Sequence, residues 1–153
     1  MFAVLSRDSD TQWLFLDGSI VKAHQHGSVA VSDDYEAIGK SWVGNSTKIH
    51  FAVDSGGLPV YFELSGGQAH AVSFAGSLKS NSPTAEVIVA DKGYDSDGLR
   101  GGAIESTGTQ SNIPRKANKK RGNSHIDMCL YKYRHPVENA FLRVKKNWAI
   151  ATR

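Results

Sequence analysis

The sequence predicts an α/β fold: a mixed sheet of three antiparallel strands followed by alternating helices and strands, with helices on its faces. Three observations predict it. Two runs of alternating polar and apolar residues, 48–54 and 59–64, flank a Gly-Gly turn. The most β-branched run, Glu86-Val87-Ile88-Val89-Ala90, lies between two stretches of helix-like spacing. Leu130, Tyr133, Val137, Phe141, Val144 and Trp148 then follow one another at steps of three or four. The 153 residues suit one domain, 1–153, and 40% hydrophobic side chains supply one packed core.

Each element has a local reason. Trp13-Leu14-Phe15-Leu16 is apolar and runs into Asp17-Gly18-Ser19, which reads as a buried strand entering a turn. Residues 22–47 are polar, include two histidines and show no period, so they read as a long loop insert. Residues 48–54 and 59–64, joined through Ser55-Gly56-Gly57, read as a β-hairpin. Ala71, Val72, Phe74, Ala75 and Leu78 have helical spacing over 68–78. Residues 86–90 read as a central buried strand with Asp91 at its carboxyl end. Ser96 is placed to cap a helix over about 97–105. Residues 109–113 read as a last strand stopped by Pro114, and 115–125 as a basic loop. Residues 126–146 read as an amphipathic helix interrupted by Pro136. This order matches the ribonuclease H-like arrangement.

Composition narrows the function classes. No run approaches 18 apolar residues, so no membrane span is predicted. The first ten residues turn acidic and lack the pattern of a signal peptide. A single cysteine, Cys129, forms no internal disulfide and reads as a buried helix residue in a reducing, intracellular setting. Charge is uneven: residues 1–112 carry a net −6 and residues 113–153 a net +9. A cationic last quarter beside an acidic body points to a polyanion partner. A solvated basic face reads as well from charge alone.

Three carboxylates fall where a sheet gathers them. Asp17 and Asp91 end strands, and Glu138 lies on the last helix. Open sheets bind ligands at the carboxyl ends of their strands. Hard divalent cations take oxygen ligands. Three acids at one sheet end can hold two ions about 3.5–4 Å apart, which activate a water or a 3′-hydroxyl against a phosphodiester. Taken singly, Asp17 before Gly18 reads rather as a turn residue, and Asp91 before Lys92-Gly93 reads equally as a turn residue or a helix cap. Glu138 reads equally as a solvated residue paired with Arg134 or Lys145. Their joint placement beside a basic flank carries the chemistry. His24 and His26 lack companion ligands and read as polar loop residues rather than a zinc site. Trp42, in the polar stretch, reads either as a base-stacking ring or as a loop anchor.

The surrounding strings are specific. They include Asp17-Gly18-Ser19-Ile20-Val21-Lys22-Ala23-His24, Thr47-Lys48-Ile49-His50, Ala90-Asp91-Lys92-Gly93-Tyr94-Asp95 and Ile113-Pro114-Arg115-Lys116. Tyr131, Arg134, Glu138 and Lys145 stand at gaps of 3, 4 and 7, which on a 3.6-residue helix form one stripe. In these strings and this signature the chain resembles the bacterial insertion-sequence transposases of the DDE type. The resemblance implies a metal-binding catalytic triad of Asp17, Asp91 and Glu138 with two Mg²⁺ or Mn²⁺ ions. It implies DNA contacts from Tyr131, Arg134 and Lys145, and phosphate contacts from Arg115, Lys116, Lys119, Lys120 and Arg121. Lys92 and Tyr94, which flank the second aspartate, read equally as phosphate contacts and as solvated loop residues. The implied reaction is cleavage of DNA at transposon ends and transfer of the 3′-OH to target DNA. The implied partners are double-stranded DNA, a second copy of the chain and the product of an upstream frame. The implied location is bacterial cytoplasm, at the nucleoid and without a membrane.

The chain also departs from that family. The helical DNA-binding region that relatives carry before the first strand is absent, as in a second reading frame or a truncated copy. The alternative is therefore a catalytically silent DNA-binding remnant of a decayed element. A repair or recombination nuclease on the same scaffold shares the triad. Pro136 stands two residues before Glu138. A helix that begins there keeps Glu138 in its first turn, whereas one that runs through is kinked and takes Tyr131 and Arg134 off the stripe.

Overall fold

A computed structural model describes residues 10–22, 37–104, 107–117 and 122–146. Six strands form one mixed sheet: β1 (Trp13–Lys22), β2 (Gly39–Ser41), β3 (Gly44–Val53), β4 (Pro59–Gly66), β5 (Val87–Ala90) and β6 (Gln110–Asn112). The order is β2-β3-β1-β5-β6, and β4 also pairs with β3. β1, β3 and β4 are the expected antiparallel meander. β5 and β6 extend it in parallel, β5 beside β1 and β6 beside β5. Parallel neighbours need crossovers. Helix α1 (Val72–Ser80) and a π-helical turn (Leu99–Ile104) supply them. This is the mixed α/β sheet with helices that the ribonuclease H-like order requires.

Alternation along the strands divides the core in two. Leu14, Leu16, Ile88 and Ala90 face α1 with Ala75, Leu78 and Ile113. Phe15, Val21, Ile49, Phe51, Val53 and Val89 face the other way, against Val137, Ala140 and Phe141 of α3 (His135–Lys145). Each cluster buries large apolar side chains, the dominant stabilising term in a domain of this size. The hairpin loop is closed by Asp54, whose Oδ1 accepts from Leu58 N at 2.8 Å. Gly57 in that loop has φ +82°, a left-handed conformation that glycine adopts without a Cβ penalty.

Four expectations are corrected. Asp17-Gly18-Ser19 is not a turn: β1 continues through it to Lys22, paired to β3 along its length. The stretch 22–47 is not all loop, because β2 and the start of β3 form a hairpin within it; residues 23–36, with His24 and His26, lie outside the described residues. The interruption expected within 126–146 is present and complete: the stretch holds two helices, α2 (Met128–Lys132) and α3. Pro136 is the reason. It has no N–H to donate to Lys132, four residues back, and its ring crowds that carbonyl, so α2 stops there and α3 starts with Pro136 in its first positions. Cys129 is exposed rather than buried. The expected cap at Ser96 is present, its Oγ accepting from Leu99 N at 3.1 Å, but the turn it opens is π-helical.

His50 is fully buried on the α1 side, stacked on Phe74 at 4.3 Å, with Nε2 2.8 Å from Ser65 Oγ. Burial, aided by the Lys48 ammonium, lowers its pKa to about 4. The folded state thus resists a proton that the unfolded chain binds below about pH 6.5. Stability from this group is complete above that pH and is lost as pH falls toward 4. Thermal melts should show a decline on the order of 3 kcal/mol across this window, and His50→Phe should flatten it. Gly57→Ala places a Cβ at positive φ, 3.3 Å from Arg143 Nη2. It should destabilise the fold by about 1–2 kcal/mol, read as a lower Tm.

Candidate active site

The last register pair between β1 and β5 is Leu16↔Ala90. One step further, Asp17 and Asp91 stand beside each other, at a strand spacing of about 4.8 Å. They share the strand phase of Phe15 and Val89, which face α3. β5 ends at Ala90 while β1 runs on to Lys22. Beyond Leu16, β1 therefore has no partner on that side among the described residues, and the crevice opens there. Asp91 turns the chain away, its Oδ1 accepting from Gly93 N at 2.8 Å. Asp17 Oδ1 accepts from Gly18 N at 2.8 Å, and its Oδ2 lies 3.3 Å from Arg134 Nη2.

Electrostatics at Asp17 are unfavourable to its charge. Burial raises its pKa. The Gly18 N–H and the Arg134 guanidinium oppose that, and the Asp91 and Glu138 carboxylates add to it; the net shift is upward. Like charges held together in a half-buried crevice have this effect, and a cation relieves it. Tyr94 lies beneath the pair, 1% exposed, with its hydroxyl pushed above the usual phenol range by burial and by Asp17 and Asp91. A ring so placed supports the site from below.

The break before α3 brings the signature together from two helices instead of along one. Arg134, at the N-terminal end of α3, reaches Asp17. It also donates to Tyr131 Oη at 3.4 Å and lies over that ring, 5.4 Å from its centroid. Glu138 is in the first turn of α3, as a start near Pro136 requires. Its side chain is exposed, and it acts on Asp17 through its charge. Among the described residues no three His, Cys, Asp or Glu side chains are grouped closely enough to hold one metal ion. The structure thus gathers two carboxylates and sets the third on the adjoining helix. Lys145 donates to Ser19 Oγ at 2.6 Å and Ile20 O at 3.2 Å, pinning α3 onto β1.

A pocket of about 410 Å³ opens on the α1 side of the pair, lined by Asp17, Asp91, Lys48, Gln68, His70 and Lys116 among others. Lys116 is brought there by the buried Arg100–Asp95 pair, 3.0 Å apart, since Asp95 Oδ2 also accepts from Lys116 N at 2.9 Å. Burial alone would raise the Asp95 pKa; the Lys116 N–H and Arg100 outweigh it and hold it below the ordinary value. Lys92 is exposed beside Asp91, and Arg115 is half-buried with its N–H on Asn123 Oδ1. Lys119, Lys120 and Arg121 lie outside the described residues. Lys48 was not singled out as a site residue. It is in a matching string and on the polar phase of β3, but only the tertiary structure shows that it lines the same pocket as the acids.

Three comparisons with known proteins agree with this geometry or add nothing to it. The model of the transposase DDE domain matches residues 8–153. A Brucella ovis chain assigned as the transposase for insertion sequence element IS6501 is 34% identical over 109 residues, 71% of this chain and 82% of that one. An uncharacterized Sinorhizobium fredii protein, y4sN, is 43% identical over 44 residues, 29% of this chain and 35% of that one. No solved structure matches the chain. A family model that spans nearly the whole sequence, together with a relative 34% identical over 71% of the chain, settles the family: the chain belongs to the DDE-domain transposases of bacterial insertion sequences.

Proposed function

We propose that the chain cleaves DNA at transposon ends and joins the freed 3′-OH to target DNA, with Asp17, Asp91 and Glu138 as the catalytic carboxylates. The observation that carries this reading is the β1–β5 register, which sets Asp17 beside Asp91 at an open sheet edge. The donor set suits Mg²⁺ or Mn²⁺: hard carboxylate oxygens, one of them on an acid whose charge burial and two neighbouring carboxylates disfavour. Asp17 and Asp91 would hold the ions, and Glu138 would join from α3 by a change of side-chain rotamer. Divalent cations bound there supply Lewis-acid stabilisation of the attacking and leaving oxygens in an in-line displacement.

The protein's own groups do the rest. Arg134 holds a planar set of donors at the edge of the carboxylates, oriented by the Tyr131 ring, which suits a phosphate oxygen pair. Lys145 keeps α3 in place on β1 and thereby holds Arg134 against Asp17, and Glu138 on the adjoining helix. Lys92, Arg115 and Lys116, with the basic run Lys119, Lys120 and Arg121, would track the DNA backbone, so binding should weaken steeply with salt. Two copies acting on two DNA ends complete the reading. Among the described residues no helix is long and apolar enough to cross a membrane.

Duplexes carrying the inverted repeats that flank the coding sequence, incubated with Mg²⁺ or Mn²⁺, should be nicked at the element end. Asp17→Asn, Asp91→Asn and Glu138→Gln should each lower the rate by more than the roughly 10–100-fold lost on altering a group one shell further out. Equal nicking by wild type and the triple variant would sink the reading. A second measurement needs no turnover. Because the folded pKa of Asp17 is raised, its cost to stability is absent below its unfolded pKa and present once pH exceeds the folded value. At pH 7 Asp17→Asn should therefore melt no lower than wild type. Mn²⁺ at about 100-fold over its Kd should stabilise wild type by about 2.7 kcal/mol and leave Asp17→Asn unmoved.

A further inference from the structure

The carboxylate pair has two cationic walls, and only the one on α3 belongs to the Tyr131, Arg134, Glu138, Lys145 signature. The other faces α1. Lys48 shares the phase of His50 on β3 and so points to the α1 side, into the pocket that also holds Asp17, Asp91 and Lys116. Gly18 makes this possible. A Cβ there would lie 3.0 Å from Lys48 Cε, so the missing side chain lets the lysine stem cross β1 toward the acids.

We propose that this pocket is a second phosphate site, in which Lys48 and Lys116 hold a backbone phosphate of the DNA next to the one that reacts. The proposal rests on the transposase reading and deepens it by naming the residues of the second wall. Lys48 Nζ donates to Ala69 O at 3.2 Å, which uses one of its three N–H bonds. Among the described residues, neither Lys48 nor Lys116 forms an ion pair. Lys48 is not the counter-ion of Asp17, whose charge is met from the opposite side by Arg134 at 3.3 Å. Two lysines without carboxylate partners among the described residues thus line a polar crevice. The floor is polar as well. His50 Nδ1, which does not itself line the pocket, and Tyr94 Oη, which does, sit on side chains 0% and 1% exposed and have no hydrogen-bond partner among the described residues. They lie 3.3 and 3.4 Å from the point where a Gly18 Cβ would be. A lysine that served only to tack down the turn at Ala69 would need neither this floor nor a second lysine across the pocket.

The test is a scan of the end duplex in which single phosphates are replaced by neutral methylphosphonates, with binding read by gel retardation in EDTA. In wild type, one position beside the cleaved phosphate should weaken binding. In Lys48→Met the same replacement should have no further effect, and the slope of log K against log salt should fall by about 1. Lys48→Arg should restore the slope, and Lys116→Met, whose backbone contact is kept, should lose sensitivity at the same phosphate. Lys116→Met also serves as the test if Lys48→Met fails to fold. A wild-type profile and slope in both methionine variants overturns the proposal, as does absence of any retardation of wild type at low salt. Nicking by wild type with an unchanged profile in the variants sinks the pocket alone. A lysine-dependent profile without nicking, retained in Asp17→Asn, sinks the catalytic reading alone.

Discussion

Parallel pairing of β1 with β5, ending at Leu16↔Ala90, is the constraint on which the site depends. It joins two aspartates 74 positions apart in the sequence at neighbouring places on one sheet edge. The register is set by the hydrophobic effect. A slip of one residue on either strand would turn Phe15 or Val89 out of the α3 cluster and Leu16 or Ala90 out of the α1 cluster. The apolar core therefore holds the two carboxylates together even though their mutual repulsion and burial oppose it. The compensation is local and partial: one backbone N–H on each acid and a single guanidinium on Asp17. A site kept under charge strain by the surrounding packing is suited to a cation and costs the fold stability.

Pro136 is the second determinant. By ending α2 and starting α3 it lets the chain change direction between Tyr131 and Glu138. Val137, Ala140 and Phe141 then dock α3 on the sheet, and Lys145 bonds to β1 near the far end of the helix. This docking, rather than a continuous helical stripe, brings Arg134 to Asp17. The gaps of 3, 4 and 7 still matter within α3, where Glu138 and Lys145 are seven residues apart and so fall on one side of the helix.

The two faces of the sheet contribute differently. On the α3 side a guanidinium and a phenol meet the acids. On the α1 side a polar pocket lined by two lysines adjoins them, backed by the buried Asp95–Arg100 pair, whose aspartate also accepts from Lys116 N. The acids stand at the seam.

Much of this was legible in the sequence. Alternation marked β3 and β4, the Gly-Gly pair marked their turn, β-branching marked β5, and Asp91 was placed at a strand end because it follows that β-branched run. These are local properties, set by side-chain phase, branching and backbone freedom within a few residues. Asp17 was misread as a turn residue because Asp-Gly is a turn signal, and only pairing with β3 overrides that preference. Lys48 looked like one polar residue in an alternating strand, and Tyr94 like a surface ring. The sequence by itself determined which residues were able to form strands, helices and a cation site. Which of them meet was decided by strand register and helix docking, since both arise from burial summed over contacts distant in the chain and have no signature at any single position.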